Sequence, residues 1–146
     1  LDLTRQNLPQ YENSNINSLR GAYILDDSEK ETPDAILLAS GSEVELAMNA
    51  KAELKKDGID VRVVSVPCME LFDKQSKDYK ESVLPNAVRA RVAVEAATPD
   101  CWYKYVGLDG KVIGMTTFGA SAPFSALLKK FGFTVENVVS AVKEVL

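Results

Sequence analysis

Apolar and polar positions alternate most legibly between Asp34 and Pro67. Residues 35–40 form a continuous apolar run of strand length. A Ser40-Gly41-Ser42 turn follows, and Val44, Ala47, Ala50 and Leu54 then recur at helical spacing. Gly58 stops that helix, and residues 61–66 supply a second apolar run. Strand, glycine turn, helix, glycine stop and strand make a βαβ unit. Runs this apolar belong to strands covered on both faces, the habit of parallel sheets. Ser42 stands where an N-cap hydroxyl belongs, and Glu45, three residues on, is placed to complete a capping box. Lys55 and Lys56 fall in the last turn, where the helix dipole favours cations.

The flanking segments extend this pattern. Residues 1–20 are polar, rich in Asn and Gln and broken by Pro9, with neither helical nor strand period, so they read as an arm or linker. Gly21 opens the globular part, residues 21–146. Residues 22–25 suit a short strand at a sheet edge, closed by the charged loop 26–34. After Pro67 come a short helical turn at 68–73 and a helix at 76–84 that turns Tyr79, Val83 and Leu84 inward before Pro85. Residues 91–96 make a third buried strand, limited to its middle by Arg91 and Glu95. Pro99 opens a short helix through Trp102 and Tyr105, and a fourth strand is expected near 112–115. Pro123 begins a helix with Phe124, Leu127, Leu128 and Phe131 on one side. Thr134 caps the last helix, with Val135, Val138, Val139, Val142 and Leu146 inward. The fold class that follows is α/β: an open, mostly parallel twisted sheet of about five strands with helices on both faces.

Composition narrows the function. At 146 residues, 46% apolar and 26% charged, the chain is one ordinary globular domain. A net charge of −4 with scattered basic residues argues against a nucleic-acid surface. No apolar run approaches the roughly 20 residues that span a bilayer. Cys68 and Cys101 stand at no metal-like spacing, which points to a reduced, cytoplasmic setting. Histidine is absent, removing the commonest general base and metal ligand. The chain begins Leu-Asp-Leu, so a piece cut from something longer is expected.

Four places could carry chemistry. The Gly41-Ser42 turn opens a helix after a strand, a geometry open to anions, but it lacks the phosphate-loop glycines, and Glu43 and Glu45 oppose negative charge there. A structural cap is the plainer reading; a ligand crevice at Ser42 and Glu43 is the sharper one. Glu43 itself reads as a first-turn carboxylate with its head in water, or as a carboxylate at the carboxyl edge of the sheet. Cys68 has no histidine to activate it, and Glu70 and Asp73 disfavour a thiolate, so it reads as a packing residue. Trp102, Tyr103 and Tyr105 cluster as core or interface aromatics do, and interface is the reading favoured here. Arg5, in the arm without a carboxylate until Glu12, offers a bidentate fork to an external anion.

With these segments in view, TRQNLP at 4–9, LASGSEVELA at 38–47, ESVLP at 81–85, WYKYVGL at 102–108, GMTTFGASAP at 114–123 and the closing FGFTVENVV resemble the C-terminal part of transketolase over essentially the whole chain. The WYKYVGL and GMTTFGASAP blocks set it apart from related thiamine enzymes such as a deoxyxylulose phosphate synthase. The resemblance implies the C-terminal domain of a homodimeric enzyme that moves a two-carbon ketol unit between sugar phosphates in the pentose phosphate pathway. It uses thiamine diphosphate and a divalent cation, Mg or Ca. The cofactor motif and the activating glutamate are not in this chain, so the fragment is expected to bind neither and to be inactive alone. Its partners would be the remaining transketolase domains, the second subunit and sugar phosphates. Arg5 matches the family arginine that meets the substrate phosphate, and Thr4 stands where Ser is commoner. Residues 1–20 would be the tail of the preceding cofactor-binding domain. A regulatory small-molecule module, or a pure assembly module, is the alternative for the domain's own role.

Overall fold

The computed structural model describes residues 6–146. Five strands form one sheet: β1 (Tyr23–Asp26), β2 (Ala35–Ala39), β3 (Val61–Ser65), β4 (Arg91–Val94) and β5 (Lys111–Ile113). Their order is β1-β3-β2-β4-β5. β2 is parallel to both β3 and β4, and β5 is parallel to β4. The expected edge strand, β1, pairs antiparallel with β3. The sheet is therefore mixed, with a parallel centre.

Side-chain alternation along the strands divides the core into two layers. Leu37, Val63 and Val92 point to the face covered by α1 (Glu43–Lys56) and α6 (Val135–Val145). Ile36, Leu38 and Val64 point to the other face, covered by α2 (Met69–Asp73), α3 (Lys77–Val83) and α4 (Tyr103–Val106). The anticipated stripe Val44, Ala47, Ala50 and Leu54 is the buried side of α1. Ser76 and Thr134 cap α3 and α6 by accepting the N–H of Tyr79 and Asn137.

Several local expectations are corrected. Ser42 is already helical (φ −68°, ψ −26°) and makes no capping bond to the helix, so the capping box does not form. Its hydroxyl instead donates to Glu43 Oε1 at 2.7 Å. The fourth strand is β5, ending at Ile113, and the next residues leave the sheet. The arm is not wholly irregular, since residues Ile16–Arg20 make a 3-10 turn whose Asn15 side chain accepts from Asn17 N. In α5 (Phe124–Phe131) no residue is fully buried, and Phe124 is exposed, because only Leu128 and Phe131 of its apolar side reach the core. At the end of α6, Ala141 takes the inward place and Leu146 is exposed.

Two arginines tie the layers together at inward positions. Arg62 on β3 is buried and donates to Asp27 Oδ1 (2.7 Å) and to the carbonyls of Ser82 and Val83. Arg91, at the start of β4, donates to the carbonyls of Val88, Leu84, Pro85 and Tyr105. Arg62 thereby satisfies carbonyls in the last turn of α3, and Arg91 those of the loop between α3 and β4 and of α4. Among the described residues no helix is long and apolar enough to cross a membrane.

Candidate functional site

Chain order creates one distinguished place on the sheet. From β2 the chain crosses through α1 to β3 on one side, then returns past β2 through α2 and α3 to β4 on the other. The carboxyl ends of β2 and β4 therefore face a crevice at the reversal, where open α/β sheets commonly bind ligands. Ser40 follows β2 and Glu95 follows β4. Each is the first polar side chain past an apolar parallel strand, so both arrive at the same edge.

The Ser40 hydroxyl donates to Glu95 Oε2 at 2.7 Å. Glu43, at the start of α1, accepts from the Ala96 N–H at 3.4 Å through Oε2. Glu43 is half-buried as a residue and stands at the carboxyl edge, with this bond on the exposed side. Burial pushes the Glu95 carboxyl above the usual carboxylate range. The Ser40 bond and the Trp102 indole N–H act downward, and repulsion from Glu43 acts upward. The Trp102 N–H is fully buried, directed to that carboxylate without completing a hydrogen bond of standard geometry. Ser40 and Glu95 thus join the exits of β2 and β4, and Glu43 joins the first turn of α1 to the exit of β4. Ser42 and Glu43 also line a groove of about 290 Å³ that reaches Phe124, Leu128 and Gln6. With three carboxylates about it (Glu43, Glu45 and Glu95), this edge is hostile to a phosphate.

The other residues singled out from sequence are scattered. Trp102 is 0% exposed and Tyr105 is buried, so neither offers the interface surface expected of them. They pack edge-on or tilted with Phe72 and Tyr79 in a ring cluster whose neighbouring centroids lie 5.9–6.3 Å apart. Only Tyr103, 53% exposed, faces outward. The signal was present in the spacing: Trp102, Tyr105 and Val106 sit at i, i+3 and i+4, which is a core stripe. Tyr105 donates to Asp73 Oδ1 at 2.7 Å, and burial, with that carboxylate, pushes its phenol up to about 12. Cys68 is half-buried, its thiol directed to Glu70 at 3.4 Å, and both cysteines are free. Arg5 lies outside the described residues. Sequence reasoning passed over Ser40 and treated Glu95 only as a strand limit. Pairing the first polar residue after each parallel strand would have found them.

The donor set does not suit the cofactor that the resemblance implies for the whole enzyme. Among the described residues no three His, Cys, Asp or Glu side chains gather closely enough to hold a metal ion. The α1 N-terminus, where a diphosphate would sit, is flanked by Glu43 and Glu45.

Fold and site together define an open α/β domain whose carboxyl edge carries hydrogen bonds of its own, from Ser40 to Glu95 and from the Ala96 N–H to Glu43. A family model described as "Transketolase-like TK C-terminal domain" matches residues 21–134, and the chain belongs to that family. Transketolase 2 of Vibrio parahaemolyticus is 55% identical over the whole chain, which spans 22% of that relative's length. A transketolase structure from Leishmania mexicana superposes with a TM-score of 0.88 at 44% identity, over 97% of this chain and 20% of that one. A Pichia stipitis transketolase solved with sedoheptulose-7-phosphate gives a TM-score of 0.87 at 42% identity, over the same shares.

Proposed function

We infer that this chain works as the C-terminal domain of a full-length transketolase, which transfers a two-carbon ketol unit between sugar phosphates. The observation that carries the reading is 55% identity along the entire chain to a transketolase of which it spans 22%. Thiamine diphosphate and its divalent cation belong to the other domains: the carboxylate-lined edge here repels a diphosphate, and no three His, Cys, Asp or Glu side chains among the described residues gather to hold a metal ion. The sugar phosphate seen in the Pichia stipitis relative supports phosphorylated ketoses as substrates. Residues 1–20 then connect to the cofactor-binding domain, and Arg5 is the residue that reaches the substrate phosphate. Tyr103 offers surface to the second subunit of a homodimer, and the enzyme acts in the cytoplasm.

The test is Arg5→Ala in the full-length enzyme. KM for phosphorylated sugars should rise by roughly 10–100-fold, the loss of a charged hydrogen bond worth about 1.5–3 kcal/mol. Unphosphorylated donors should be spared. An equal loss on both kinds of donor would make Arg5 a structural residue.

A further inference from the structure

Between α2, α3 and α4, on the sheet face opposite α1, lies a groove of about 380 Å³. Its lining runs against the charge of the molecule. The chain carries a net charge of −4, yet Lys77, Lys80, Arg91 and Lys104 gather here around only two carboxylates, Asp73 and Glu81.

Both carboxylates are already engaged. Asp73 holds Lys104 Nζ at 2.6 Å and the Tyr105 hydroxyl at 2.7 Å. Glu81 accepts from the backbone and side-chain nitrogens of Asn86 at 2.8 and 2.5 Å. Arg91 directs its bonds to four neutral carbonyls, which satisfy its donors without cancelling its charge. The ammonium donors, by contrast, are under-used. Lys80 gives one N–H to the Asp73 carbonyl at 3.2 Å and Lys104 gives one to the Asp73 carboxylate. An ammonium has three N–H groups, so Lys80 keeps two, while Lys104, which also lies 4.8 Å from the centre of the Tyr105 ring, keeps fewer. Among the described residues no hydrogen bond or ion pair engages the Lys77 ammonium. Uncommitted donors and two uncompensated cations therefore surround a space of the size small-molecule sites occupy, about 300–1,000 Å³. A phosphomonoester carries about −1.5 to −2 at neutral pH and presents several strong acceptor oxygens. It matches both the charge surplus and the spare donors.

We propose that this groove binds a phosphate-bearing small molecule, held by Lys77, Lys80 and Lys104 over the edges of Phe72, Leu84 and Tyr105. A nucleotide and a sugar phosphate share this chemistry. Each would relieve the mutual repulsion of the lysines.

Amide NMR titrations of the chain with AMP, ribose 5-phosphate and inorganic phosphate, run in parallel at low salt, test the proposal. Saturable shifts are expected at Lys77, Lys80 and Lys104. Lys77→Gln combined with Lys80→Gln should weaken binding about tenfold, and added salt should weaken it further. Tighter binding of AMP than of ribose 5-phosphate assigns a nucleotide, and the reverse a sugar phosphate. Equal binding of all three supports the site with the phosphoryl group alone as the recognised element. The same spectra report whether the variant is folded; if the pair disturbs the fold, Lys77→Gln alone, on an exposed side chain, carries the comparison. No saturation by about 10 mM of any probe, shifts confined to other surfaces, or unchanged affinity in the variant would overturn the proposal.

Discussion

Gly21→Ala should be among the most damaging single-methyl additions to this fold, and Gly58→Ala is its control. Both glycines have left-handed backbone, at φ +90° and φ +76°. Forcing an L side chain into that region costs about 1–2 kcal/mol. What separates the two positions is the surrounding space. A Cβ on Gly58 meets nothing within 4 Å, whereas a Cβ on Gly21 would stand 2.2 Å from Cys68 O, 2.3 Å from Phe72 N and 2.8 Å from Leu71 Cβ. Two of those atoms are the two ends of the 3.2 Å hydrogen bond that closes the first turn of α2. They are backbone and cannot rotate away. Relief would require separating the arm from α2, breaking that bond and the Cys68 N–H to Gly21 carbonyl bond at 3.0 Å. Each is worth about 1 kcal/mol, and forced displacement of packed groups adds roughly 1–3 kcal/mol. Gly21→Ala should therefore lose about 4–7 kcal/mol and Gly58→Ala about 1–2, against a total of order 10 kcal/mol for a domain of this size. Urea unfolding read by circular dichroism measures both, with the slope checked for a common denatured state. If the two variants fell by the same amount, the arm–α2 junction would not be the tight contact these distances describe.

The remaining predictions concern the crevice and the dimer surface. Glu95 is held above the usual carboxylate range by burial, so folding favours its neutral form. That contribution is complete below the ordinary glutamate range and is lost as pH rises through the elevated value. Glu95→Gln keeps an acceptor for Ser40 and stays neutral. It should raise the melting temperature at neutral pH and lose that advantage in acid, and a gain independent of pH would contradict the assignment. Tyr103→Ala in the full-length enzyme should weaken the dimer in sedimentation equilibrium, and an unchanged dimer would remove Tyr103 from the interface. Trp102→Ala is no substitute for it, since emptying that core position costs about 3–5 kcal/mol and reports on folding instead.

Local chemistry made the layered α/β plan legible in the sequence alone. The βαβ unit from Ala35 to Val66, the buried stripe of α1 and the cap at Thr134 all follow from side-chain periodicity and backbone preference. These act over a few residues. Partnership over long separations was not legible. Ser40 and Glu95 are 55 positions apart, and only the reversal of strand order brings them to one edge, where Glu43 also meets the Ala96 N–H. Charge at the groove followed the same rule. Lys77, Lys80, Arg91 and Lys104 look like scattered surface cations until α2, α3 and α4 fold onto one face, where Asp73 is taken by Lys104 and Tyr105 and Glu81 by Asn86. The aromatic cluster at 102–105 was divided by burial rather than by composition, because one helical turn sends Trp102 and Tyr105 into the core and Tyr103 out of it. Sequence decides what a short segment prefers to be. Which distant groups must share one low-dielectric space is decided only when the layers close, because desolvation and Coulomb energies depend on neighbours that the chain order does not name.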